Sequence, residues 1–269
     1  MSHYQRIACL STEAVETLYA LGAEDVIAGI SGFTVRPPRA REEKTKISGF
    51  SSSSLERILA VQPDLVIGFC DMQADICRDL VKAGIEVHQF NQRTVDGILR
   101  MIAVLAALVQ REEAGKLLIA SLRADISAAR ARAAAWTRKP VIYFEEWNDP
   151  LMSGIGWAAE LIGIAGGTDA FPELSAHPGA KERIIADPLA VVRRAPDIII
   201  ATWCGKKFQP AQLTARPGWD AIPAVRNDML FEIKSPDILS PGPAAITHGL
   251  RQISDIIAQW QENQKEQQA

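Results

Sequence analysis

Histidine and cysteine are scarce in this chain, four of each in 269 residues. Cys9, Cys70, Cys77 and Cys204 lack paired spacing, and no two of His3, His88, His177 and His248 stand one helical turn apart. A structural zinc site is therefore not expected. Charge of one sign is lacking too. Lys+Arg 29 against Asp+Glu 32 leaves a net charge of -3, which offers no field to draw in nucleic acid or an anionic membrane. No apolar run approaches the roughly 20 residues of a membrane span. Met1 to Leu10 has neither the basic start nor the long apolar core of a leader. Membrane insertion is not expected, and the chain as written reads as cytoplasmic, or periplasmic if a leader has been removed. GxGxxG and P-loop patterns are missing, so nothing points to a nucleotide. Thiol catalysis by Cys70 or Cys204 with His88 or His177 has no activating surroundings beyond Lys206 near Cys204.

What is present is regular alternation. Arg6 to Leu10 reads as a strand, Thr12 to Leu21 as a helix, Asp25 to Ile30 as a strand. Ser11 or Thr12 can cap that helix, with Glu16 at a capping-box position and Gly22 as the stop. After the polar stretch Val35 to Lys46 come a helix at Leu55 to Val61, a strand at Asp64 to Phe69, a helix near Met72 to Ala83 and a strand at Ile85 to Phe90. Such an order gives an α/β fold with parallel sheets flanked by helices. The apolar runs DLVIGF and DIIIAT suit strands buried on both faces.

Thr94 to Ala135 is almost wholly helical in pattern, and alternation resumes after Pro140. Arg111 to Trp136 would make a helix of about 39 Å at 1.5 Å per residue, long enough to act as a rigid connector; two ordinary helices meeting near Val109 are the alternative. The expected organisation is an N-terminal lobe over 1–110, a connecting helix over 111–137 and a C-terminal lobe over 138–269. An internal echo supports two related lobes: LERILAVQPDLVIGF at Leu55 to Phe69 matches PLAVVRRAPDIIIAT at Pro188 to Thr202. In both, a proline ends a helix and a strand follows at once. Val141 to Glu145, Met229 to Ile233 and the helices Gly156 to Ala165 and Thr247 to Trp260 complete the second half.

Ligands of open parallel sheets gather beyond the carboxyl ends of the strands. Those positions offer Ser11, Thr12, Phe33 and Phe69 in the first half, with Phe50 in a nearby serine-rich loop. The second half offers Glu145, Glu146 and Trp147, then Trp203 and Lys206, then Lys234 and Ser235, with Trp157 close behind. Only 6% of residues are aromatic, yet three tryptophans fall at or just after these ends. Rigid rings flanked by a few charges suit a bulky, flat, partly apolar ligand; rings that merely fill space between lobes are the alternative. Adjacent Glu145 and Glu146 point to opposite faces of a strand, so at most one can serve a ligand. That weakens a two-carboxylate hydrolase. One of them could instead accept hydrogen bonds from ligand amides or a hydroxyl, or pair with Lys206 or Lys234.

The segments RIACLSTEAVETLYALGAEDVIAGIS, LERILAVQPDLVIGF, the long helix and AAELIGIAGGTDAF to PLAVVRRAPDIIIA together resemble the substrate-binding proteins of ABC importers for cobalamin, haem and ferric siderophores. EEWNDP and WCGKKF are similar to a cobalamin-binding subgroup. The resemblance spans Arg6 to Trp260. It implies two α/β lobes joined by one backbone helix and non-enzymatic capture of a corrinoid such as cobalamin, or another metal chelate, in the cleft between lobes. A ferric siderophore or haem is the nearest rival; a cytosolic enzyme or sensor acting on a metal chelate or tetrapyrrole is an alternative of another class. No cofactor beyond the ligand, and a monomer, are expected. The resemblance also implies docking on a permease through an acidic residue on each lobe. Glu56 matches the first, but Leu189 stands at the second, leaving Asp187 or Glu182 as substitutes.

Overall fold

The computed structural model describes residues 3–49 and 52–266. Contacts gather the chain into two compact units. The first comprises Met1–Gln92, Asp96–Leu122 and Ser240–Pro243; the second comprises Arg93–Val95, Arg123–Leu239 and Ala244–Ala269.

The first unit is built on β1 (Ile7–Cys9), β2 (Ile27–Ser31), β3 (Lys46–Ser48), β4 (Leu65–Phe69) and β5 (Glu86–Phe90), in the order β3-β2-β1-β4-β5. All four pairings are parallel. Central β1 and β4 are buried along their whole length, which explains their unbroken apolar sequence. Ala8, Leu10, Ile47, Ile58, Val66 and Leu80 form a core cluster between sheet and helices. β3 was not foreseen. It is three residues long, and only Ile47 in it is buried, so it carries no alternation to read. The helix Thr12–Ala20 begins at Ser11 as expected, but without a side-chain cap. The Ser11 and Thr12 hydroxyls turn to the Glu13 carboxyl instead. Gly22, at φ +65, ends the turn that follows.

The second unit is built on β6 (Val141–Asn148), β7 (Leu151–Ser153), β8 (Thr168–Asp169), β9 (Ile198–Ala201) and β10 (Leu230–Glu232). The order is β10-β9-β6-β7, with β8 also paired to β6. β6 pairs in parallel with β8 and β9, and β9 with β10. β7 alone runs antiparallel, folding back on β6 as a hairpin. The sequence pattern ended this strand at Glu145; the hairpin partner carries β6 on to Asn148. The β6–β7 register moves from Glu145↔Ser153 to Trp147↔Met152, so Glu146 is the extra residue of a bulge.

The internal echo has a structural basis. In the first unit Asp64 donates its N–H to the Arg6 carbonyl (3.0 Å) and its carboxylate accepts from the Arg6 N–H (3.0 Å). In the second, Asp197 donates to the Val141 carbonyl (2.8 Å) and accepts from the Val141 N–H (2.9 Å). Each Pro-Asp pair thus clips the start of one parallel strand to its neighbour. Just before each proline the chain enters the left-handed region, at Gln62 (φ 47) and at Ala195 (φ 47).

Helical sequence over 94–135 resolves into Val95–Leu108 and Glu112–Ala133, broken where Gln110 adopts φ 54. The second helix has 22 residues, about 33 Å at 1.5 Å per residue, and the division between units falls within it, after Leu122. The closing helix is longer than foreseen: a wide turn over Ala245–Leu250 leads into Arg251–Glu266.

Candidate functional site

In the first unit the end of β1 delivers Ser11, Thr12 and Glu13 to one corner. Ser11 is buried, and the Thr12 hydroxyl shares a 2.9 Å hydrogen bond with the Ser240 hydroxyl. Gly242 packs so closely on Glu13 that an added Cβ would lie 2.6 Å from the Glu13 Cβ. Glu13 is itself buried, its Oε1 has no hydrogen-bond partner, and burial pushes its carboxyl up to about 7. At the end of β4, Phe69 is buried; its N–H donates to Gln73 Oε1 (2.9 Å), and Gln73 Nε2 donates to the Leu10 carbonyl (3.2 Å). Phe33, after β2, is 62% exposed. Phe50 lies outside the described residues.

The second unit concentrates charge at the end of β6. Glu145 is fully buried, and its carboxylate is gripped by Arg216 through Nη1–Oε2 (2.5 Å) and Nη2–Oε1 (2.9 Å). The Trp203 indole N–H donates to Oε1 of the same carboxylate (2.7 Å). Trp203 is itself buried, edge-on to Phe208 with ring centroids 5.2 Å apart. The bulge turns Glu146 elsewhere, to Arg183, with contacts of 2.5 and 3.1 Å; Arg183 is buried and also donates to the Ser153 carbonyl (2.8 Å). Two adjacent acids on opposite faces of one strand therefore each take a separate arginine fork.

The expectation that either glutamate pairs with Lys206 or Lys234 is corrected by this arrangement. Both lysines are exposed. Lys206 reaches Trp147 instead, its Nζ 4.1 Å from the ring centroid and 3.5 Å from Asn148 Oδ1. Trp147 is half-buried and anchored by its N–H on the Asp149 carbonyl (2.7 Å). Ser235 hydrogen-bonds the Thr202 carbonyl (3.1 Å). Trp157 lies in the core, its N–H on the Ile238 carbonyl (2.7 Å).

Sequence reading missed Arg183 and Arg216, since neither follows a strand. A signal existed: two consecutive acids at the end of a buried strand require cations, because an unpaired buried carboxylate costs several kcal/mol. Cys204 is exposed, but partial burial of its thiol holds its pKa above the ordinary value, the opposite of an activated nucleophile. Among the described residues no group of three His, Cys, Asp or Glu is placed to hold a metal ion. Among the described residues no helix is long and apolar enough to cross a membrane.

Residues 7–236 match the sequence model of the family described as periplasmic binding protein. The chain belongs to that family. The fold and the non-enzymatic capture of solutes that mark the family agree with what the sequence led us to expect. A vitamin B12-binding protein of Vibrio campbellii is 29% identical over 203 residues, covering 74% of this chain and 70% of that protein. Among solved structures, the periplasmic vitamin B12 binding protein BtuF of Vibrio cholerae superposes with a TM-score of 0.78 at 20% identity, covering 96% of this chain and 98% of that one. The periplasmic heme-binding protein BhuT in complex with two hemes gives a TM-score of 0.78 at 24% identity, covering 93% and 98%. These likenesses to solved structures show the shared fold.

Proposed function

We propose that this protein captures a corrinoid of the cobalamin type and releases it unaltered, as the solute-binding component of an ABC importer on the outer side of the cell membrane. The observation that carries the reading is Trp147, a half-buried indole held in place by its N–H at the end of β6. It gives a flat, partly apolar molecule a rigid platform. The vitamin B12-binding relatives support the same ligand class. A general base must reach the proton it abstracts, and Glu145 and Glu146, the carboxylates the sequence offered for that role, are each held by an arginine.

For the permease, Glu56 stands exposed in the first turn of the helix Leu55–Ala60 and is the proposed contact. Leu189 is exposed at the matching place in the second unit. Asp187 beside it pairs with Arg193 at 2.7 Å and would have to release that arginine to serve.

Calorimetric and visible titration of the purified chain with cyanocobalamin tests the reading. Saturable binding at micromolar concentration is expected, and the recovered ligand should have an unchanged mass. A haem or ferric siderophore is the second reading, favoured by the exposed cations Lys206 and Lys234. Binding of haemin in place of the corrinoid would replace the first reading with the second.

A further inference from the structure

The ring that offers the platform is not bare. The Lys206 ammonium lies on the face of Trp147 at 4.1 Å from the centroid, a geometry in which the ring quadrupole attracts the cation. Its second contact, Asn148 Oδ1, is neutral and 3.5 Å away. Of the neighbouring acids, Glu145 pairs with Arg216 and Glu146 with Arg183, while exposed Asp149, next to Asn148, forms no ion pair with Lys206. Lys206 is therefore a cation without a carboxylate partner among the described residues, held over an aromatic face by a turn in which its N–H donates to the Trp203 carbonyl (3.0 Å). Gly205, at φ +73, gives that turn its left-handed step.

We propose that Lys206 is a specificity-determining residue of the ligand site. A flat ligand that stacks on this face of Trp147 displaces the ammonium. The displaced cation, lacking a protein carboxylate, then pairs with an anionic group at the rim of the ligand. The site thereby favours flat ligands that carry such a group over neutral ones, since only they restore the charge contact that stacking removes. This inference rests on the corrinoid reading, in which the anionic group is the phosphodiester of the nucleotide loop.

The test compares cyanocobalamin, which has the phosphodiester, with dicyanocobinamide, which lacks it, on the intact wild-type chain and on Lys206→Met. Methionine keeps an unbranched stem on the indole without the charge. Lys206→Met should weaken cyanocobalamin about tenfold, as for loss of one charge-assisted hydrogen bond. Dicyanocobinamide should bind the variant as well as the wild type, or better, because no cation has to leave the ring. An equal change for both ligands, or none for either, overturns the role of Lys206 while leaving the corrinoid reading intact. Failure of the wild type to bind either corrinoid overturns both. Lys207→Met, one residue along the same exposed turn, should leave the ratio of the two affinities at its wild-type value. A matching change there would reduce the effect to general positive charge and overturn the assignment to Lys206.

Discussion

The buried carboxyl at the β1 corner gives the sharpest physical prediction. Burial raises Glu13 from the ordinary 4.5 to about 7, repulsion from Glu16 adds to this, and the Ser11 and Thr12 hydroxyls and a backbone hydrogen bond only partly oppose it. The unfolded chain keeps the ordinary value. Below pH 4.5 both states hold the proton and Glu13 contributes no slope. As pH rises past 4.5 the unfolded state ionises first, and stability falls until the native carboxyl ionises as well, near pH 7. At about 1.4 kcal/mol per pKa unit the loss approaches about 3 kcal/mol by pH 8. Glu13→Gln places a permanent likeness of the protonated acid at this site and removes that slope. Urea denaturation of both chains at pH 5 and pH 8, followed by tryptophan fluorescence, isolates the contribution, since every other titrating group is shared. Going from pH 5 to pH 8, the variant should gain about 2 to 3 kcal/mol on the wild type. A stability difference that is the same at both pH values would refute the argument.

Two further substitutions probe packing, one in each unit. Arg216→Met leaves the fully buried Glu145 carboxylate with only the Trp203 N–H, and should destabilise by about 3–5 kcal/mol; Glu145→Gln in the same chain should recover much of that loss in urea denaturation. Gly242→Ala drives a methyl against the Cβ and Cα of Glu13 and should destabilise by about 1–3 kcal/mol in thermal melts; shortening Glu13 to Ala keeps both atoms and should not relieve the clash.

The fold was legible wherever burial alone writes the pattern. β1, β4, β6 and β9 are apolar runs because both faces of a parallel sheet are covered, and the two Pro-Asp corners were visible as an echo because each does the same job of clipping one strand to the next. β3 and β7 were not legible. Three residues carry too little alternation to reveal a strand, and β7 exists only because β6 lends it hydrogen bonds. The break between the two long helices, at Gln110, falls where the sequence placed a possible junction, near Val109, although no glycine or proline announces it.

At the site, the sequence by itself placed the rings and acids at strand ends, because strand order and polarity are consequences of local pattern. It did not decide what each side chain meets. Phe69, Trp157 and Trp203 became interior groups, and the partners of Glu145 and Glu146 turned out to be Arg216 and Arg183, which lie 71 and 37 residues further along the chain. Lys206, left without an acid, settled on Trp147. Such pairings depend on which loops fold back over the end of β6, and that is fixed by the closing of the whole unit. Local propensity sets the elements, whereas long-range packing and the cost of burying an unpaired charge select the partners.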